Sequence, residues 1–236
     1  MCTELEKVLE NIKETAEVIH SHGWGEAAAG NLSIRLKDSL PFDRSNYYEL
    51  SDRYENLIGR TIVITSSGSR MRQIASKNTE EYCCIITLNE TGTGYYKVNN
   101  NDKDPSSELI AHLMLHNEFI KRRKPVTAIM HCHPDEIITL LHLADFKNRE
   151  AINKMLFSIH TEAELIIPDG AGLVGLKKPG SYEFASTIFT ELKKRNIALI
   201  EKHGCISVGQ DLNDALDKIE FVNKAIKIYL DIKKLR

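Results

Sequence analysis

Two histidines one residue apart, His131 and His133, end the run VTAIMHCHP over residues 126–134. Val126, Ile129 and the residues between them read as a buried strand. Side chains alternate faces along a strand, so the two imidazoles point the same way and can share one metal ion. Imidazole suits a divalent transition metal, and three protein ligands with a fourth position open is the pattern of a catalytic rather than a structural zinc. His203, followed by Gly204, is the candidate third ligand. A histidine at a strand end also serves as a hydrogen-bonded rim residue, but a pair at strand spacing closed by the chain-breaking Pro134 favours a metal. Cys132 turns to the opposite face, away from that ion.

A carboxylate and two hydroxyls lie upstream in Pro105-Ser106-Ser107-Glu108. The serines are expected to cap a helix whose buried face is Leu109, Ile110, Leu113 and Met114. Glu108 then falls in the first turn, either as an acid favoured by the helix dipole or as an acid/base group beside the metal. His112 and His116 have the i, i+4 spacing of HExxH, but Leu113 stands where that motif needs its Glu, so they are set aside as a metal site. Two stretches rich in small residues suit an anion. In residues 23–35, GWGEAAAGNLSIR, small side chains let backbone amides approach a ligand and Asn31 adds a donor; the alternative is a glycine turn entering the strand of Leu32, Ile34 and Leu36. In residues 66–70, Ser66-Ser67-Gly68-Ser69-Arg70 follows the strand TIVIT, although the GxxxxGK[ST] spacing of a phosphate loop is absent.

The elements that must position these groups follow from the rest of the chain. With 236 residues, 42% hydrophobic content and a formal net charge of -2, it can build one sizeable core, read as one domain over residues 1–236. Scattered charge gives no basic patch for nucleic acid or an anionic membrane, which leaves a small-molecule partner. No apolar run approaches the roughly 20 residues of a membrane span, and MCTELEKVLE carries acids where a signal peptide carries an apolar core, so a cytoplasmic location is expected. Cys2, Cys83, Cys84, Cys132 and Cys205 form no CxxC pair and read as reduced and mostly buried. Leu5, Val8, Leu9, Ile12, Ala16 and Ile19 give an amphipathic helix closing near Gly23. Residues 38–56 read as a surface loop, and 84–88 and 95–98 as a strand pair. Helices are expected over 134–143, 148–159 and 181–195, and strands at 197–200 and after His203. A turn after a short strand is expected at 166–170. A helix running from Leu212 through Leu230 closes the chain.

Taken together, GWGEAAAGNLSIRL, ITSSGS, PSSELIAHLMLH, HCHP and EKHGCISVGQDLNDAL resemble the class II aldolase/adducin family, in order and over nearly the whole chain. Within it, GWxE before the GN element, the SEL helix start, HCH and the TE...PDG segment resemble the rhamnulose-1-phosphate aldolase branch. The resemblance implies an α/β fold, a three-layer α/β/α sandwich around a mainly antiparallel sheet. It also implies a homotetramer with active sites between subunits. Zinc, or another divalent transition metal, would be held by His131, His133 and His203, with Glu108 as the acid/base carboxylate. Asn31, Ser67, Gly68, Ser106 and Ser107 match positions that hold the substrate phosphate. Glu162 matches a carboxylate that moves protons at the aldehyde end of the neighbouring subunit's site.

The implied reaction cleaves the C3–C4 bond of a ketose 1-phosphate and leaves enediolate charge, which a Lewis acid stabilises without a Schiff-base lysine. Ala28 stands where rhamnulose-type members carry an Asn, and the surface loops are shorter. Other readings are a fuculose-1-phosphate aldolase, an L-ribulose-5-phosphate 4-epimerase, and a non-catalytic adducin-like interaction module. Such epimerases tend to carry Asp where Glu108 stands, and such modules have little use for three metal histidines.

Overall fold

A computed structural model describes residues 3–235. Cys2 lies outside them, whereas Cys83, Cys84, Cys132 and Cys205 are free and buried. The first helix, α1 (Glu4–Ser21), opens on a capping box in which Thr3 and Glu6 each accept from the other's backbone N–H, and it buries Ile12, Ala16 and Ile19.

Nine strands follow among the described residues: β1 (Asn31–Arg35), β2 (Tyr47–Glu49), β3 (Thr61–Thr65), β4 (Cys83–Leu88), β5 (Gly94–Lys97), β6 (Ala128–Cys132), β7 (Gly172–Val174), β8 (Ile197–Ile200) and β9 (Gly204–Gly209). They form one sheet in the order β2-β5-β4-β3-β1-β6-β9-β8-β7. Its pairs are antiparallel except β7 with β8.

Alternation along the central strands assigns their side chains to the two faces of the sheet. Leu32, Val63, Ile85, Met130, Cys132 and Leu199 face one side. There they pack under α1, α4 (Asp135–His142), α5 (Arg149–Ile159) and α8 (Leu212–Lys234). Ile129, Ile200, Ile206 and Val208 face the other side. Here the cover is α3 (Leu109–Lys121) and α7 (Tyr182–Leu192). The result is a three-layer α/β/α sandwich. Because both faces are covered, the central strands are buried and largely apolar, and their few buried polar side chains, Asn31, Ser33, His131 and Ser207, need hydrogen-bond partners. Truncating a core residue such as Ile129 to Ala is expected to cost about 2–5 kcal/mol.

Position on this sheet decides which residues meet. β6 lies between β1 and β9, with Asn31 opposite His131 and Cys132 opposite Cys205. One end of these central strands therefore carries Asn31, His131, His133 just beyond β6, and the turn before β9. Cys132 points to the face opposite His131, as alternation requires.

Several local expectations are corrected. The helix after Pro105 starts at Leu109, and Glu108 is its N-cap residue rather than a member of the first turn. Ser106 N–H is bonded to the Thr65 carbonyl at 3.0 Å, and this tie to the end of β3 delays the helix. Residues 38–56 include the edge strand β2, whose exposed Tyr48 stacks on Tyr95 of β5 at 5.2 Å, so no buried alternation marks it. The segment before the 167–170 turn is a short helix, α6 (Ala163–Ile166), not a strand. Neither β7 nor the six-residue helix α2 (Met71–Ser76) was anticipated; both are too short to show a period. Among the described residues, no helix is long and apolar enough to cross a membrane.

Candidate metal centre

His131, His133 and His203 converge as the sequence predicts, with ligand nitrogens all within 4.8 Å of one another. Their rings form a nearly equilateral triangle, with centroids 4.7, 4.8 and 4.9 Å apart. His131 lies near the end of β6 and His133 directly follows that strand. His203 comes from the turn between β8 and β9, where Lys202 has a left-handed φ of 57° and Gly204 a φ of 142°. Phe184 of α7 lies against the His203 ring at 5.5 Å.

The hydrogen bonds assign the tautomers, since a carbonyl or carboxylate oxygen only accepts. His131 Nδ1–H donates to the Cys205 carbonyl at 2.8 Å and His133 Nδ1–H donates to Glu26 Oε1 at 2.9 Å. Both Nε2 atoms are thus bare lone pairs, yet they stand 3.1 Å apart. Two lone pairs at that distance repel unless a cation lies between them. Metal–nitrogen bonds of 2.0–2.1 Å at tetrahedral angles place nitrogens about 3.3 Å apart, so the donor set fits a divalent transition metal. The Glu26–His133 and Cys205–His131 contacts are the outer partners that orient imidazole ligands.

Electrostatics favour the same protonation state. Burial, then the neighbouring His133, pushes His131 down to about 3. Burial, then His131 and His133, pushes His203 down to about 4. Neutral imidazoles are the form that binds metal. Burial, the largest single influence, raises Glu26, but the hydrogen bond from His133, the backbone hydrogen bond at Glu26 and the charges of His133 and His131 together outweigh it and hold this carboxyl below its usual value.

Beside the triad is a cavity of about 230 Å³. Glu108 reaches it from the N-cap of α3, its Oε1 3.9 Å from His131 Nε2. Asn31, Ser67, Gly68, Ser106 and Ser107 all line it, as do Ala28, Ser66 and Pro179, and among the described residues no lysine or arginine does. Glu162 does not join them; it is exposed at the N-cap of α6. The small residues near Asn31 also serve packing. At Gly30 (φ 80°) a Cβ would lie 2.9 Å from the His131 carbonyl oxygen.

Sequence reasoning missed Glu26, Phe184 and Pro179, because nothing in their local pattern marks a partner so distant along the chain. A larger cavity, about 880 Å³, opens between Trp24, Glu136 and the face of α8, away from the triad.

Comparison with known proteins places this arrangement. Residues 10–230 match the family described as Class II Aldolase and Adducin N-terminal domain. The chain is 27% identical to rhamnulose-1-phosphate aldolase of Bacteroides thetaiotaomicron, over 98% of this chain and 88% of that protein. It is 28% identical to rhamnulose-1-phosphate aldolase of Salmonella heidelberg, over 89% of this chain and 79% of that one. The crystal structure of a sugar-phosphate aldolase from Thermotoga maritima superposes with a TM-score of 0.86 at 29% identity, covering 99% of this chain and 97% of that chain.

Proposed function

The chain belongs to the class II aldolase and adducin family, and from that premise we propose that it is a zinc-dependent aldolase. Its substrate is L-rhamnulose 1-phosphate and its products are dihydroxyacetone phosphate and L-lactaldehyde. One observation carries the reading: three imidazoles with two bare nitrogens 3.1 Å apart face Glu108 across a cavity walled by serines. The names of the relatives at 27–28% identity support the choice of sugar.

His131, His133 and His203 hold the metal, one per chain. When bound, a divalent cation supplies Lewis-acid stabilisation of the negative charge that carbon–carbon cleavage leaves on the ketone fragment. Glu108 takes and returns the proton at the carbon next to the carbonyl. Asn31, Ser67, Gly68, Ser106 and Ser107 bind the phosphate. Neutral donors suffice there because Ser106 and Ser107 lie at the N-terminal end of α3, whose dipole favours an anion. Glu162 lies apart from its own chain's cavity, and we assign it to proton movement at the aldehyde end of a neighbouring copy's site. The reading includes one domain per chain, a homotetramer and a cytoplasmic enzyme.

The test is release of dihydroxyacetone phosphate from L-rhamnulose 1-phosphate, with L-fuculose 1-phosphate alongside, each with and without a chelator. Chelator-sensitive release from the first sugar alone is expected. Release from neither sugar by protein carrying stoichiometric zinc would reject the assignment.

A further inference from the structure

A line of buried side chains runs from Glu108 away from the cavity into the core. Asn31 Nδ2 donates to Glu108 Oε2 at 3.2 Å, and Asn31 Oδ1 is 2.6 Å from His112 Nε2. His112 Nδ1 is 2.7 Å from Ser33 Oγ, which is itself 2.9 Å from His116 Nε2. His116 Nδ1, at the far end, is buried with no hydrogen-bond partner. Asn31 and Ser33 share one face of β1 because strand side chains repeat every two residues. Glu108, His112 and His116 share one stripe because helical side chains repeat near every four. The i, i+4 histidines that resemble a metal motif in the sequence therefore have another use here.

The line has a direction. A carboxylate only accepts, and an amide has one donor end and one acceptor end. With Glu108 ionised, Asn31 turns its nitrogen to the carboxylate and its oxygen to His112. His112 must then carry its proton on Nε2 and accept from the Ser33 hydroxyl at Nδ1. Ser33 in turn accepts from His116 Nε2–H. Every proton points toward Glu108, and the unpaired atom at the end is a lone pair. Turning the Asn31 amide over sets its oxygen against the Glu108 carboxylate with no proton between them, reverses the other three bonds and leaves a buried His116 N–H without an acceptor, which proteins tolerate less well than an orphan acceptor.

We propose that His112 and His116 are positioning residues that lock the Asn31 amide with its nitrogen toward Glu108 and the cavity. Asn31 then presents only N–H groups to the site, one to the carboxylate and the other to the substrate's anionic group. The inference rests on the aldolase reading for the roles of Glu108 and Asn31. Burial supports it, because it pushes His112 down to about 4 and His116 well below its ordinary value. Both rings stay neutral, as a chain with one donor and one acceptor per ring requires. His112 and His116 reach neither metal nor substrate and act through Asn31.

Two measurements decide it. Neutron diffraction on deuterium-exchanged crystals of the whole protein should place deuterium on Nε2 of His112 and His116, with the Asn31 ND2 group toward Glu108. Deuterium on Nδ1 of His112 would overturn the proposal. Kinetically, His112→Phe should retain zinc and lower kcat/KM for L-rhamnulose 1-phosphate by at least 10-fold. His112→Gln, which again offers one donor and one acceptor, should recover most of it. Equal kcat/KM in the two variants would also overturn the proposal. If His112→Phe does not fold, Ser33→Ala replaces it: an unchanged kcat/KM there refutes the relay, and a 10-fold loss supports it. If the parent protein cleaves no sugar phosphate, the aldolase reading fails on its own, and the deuterium positions still decide this inference.

Discussion

Replacing Gly204 with alanine perturbs the metal site through the backbone alone. A Cβ there would lie 2.3 Å from the Cys132 carbonyl oxygen and 2.9 Å from the His133 Cα. Ordinary contact is longer, so the two strands must part by about 1 Å. Neither obstacle is a flexible side-chain end. Both belong to the backbone that carries His133, while His203 is bonded directly to the substituted residue. Metal–ligand distances tolerate only about 0.2 Å, so the displacement is several times what the triad can absorb. The φ of 142° adds strain of about 1–3 kcal/mol for any side chain. Gly204→Ala should therefore weaken zinc binding by at least about 10-fold and lower turnover by about 100-fold. Competition titration with a chromophoric chelator measures the first, the aldolase assay the second, and thermal unfolding the strain. Zinc affinity within twofold of the parent, with an unchanged Tm, would refute this account of how the β8–β9 turn presents His203.

Other substitutions probe separate parts of the site. His131→Ala should lose metal and activity together, and stoichiometric zinc in that variant would remove His131 from the ligand set. Glu108→Gln should keep the metal while turnover falls about 100-fold, the usual scale for an acid/base group; full turnover would leave Glu108 as a helix N-cap only. Acid stability follows from His112, buried and held at about 4 against an ordinary 6.5. Above pH 6.5 it is neutral whether folded or unfolded, and below that the unfolded chain gains the proton first. Stability is thus lost as pH falls from about 6.5 to 4, by up to about 3 kcal/mol from this group. Urea unfolding of metal-free protein at pH 7 and pH 4.5 should show a smaller loss for His112→Phe than for the parent, and equal losses would contradict it.

The sequence alone determined the features that local periodicity can encode. The HCH spacing on an apolar strand put two imidazoles on one face and turned Cys132 to the other, and the structure keeps both. The long helices α1 and α8 run for several turns, so their apolar periods were readable. The small residues around Asn31 and the hydroxyls at 66–69 marked candidate anion cradles at strand ends, whereas Ser106 and Ser107 read locally only as helix caps and were linked to phosphate by the family resemblance alone. Tertiary structure decided the rest. His203 reaches the triad because β9 pairs with β6, a choice of neighbour that no local pattern encodes. Glu108 stands at the N-cap because Ser106 is tied to β3. Glu26 meets His133 across 107 residues of chain, and Ser33 meets His112 across 79. Such contacts depend on strand order and on which helix covers which face, so His112 and His116 looked like a failed metal motif until β1 was laid against α3.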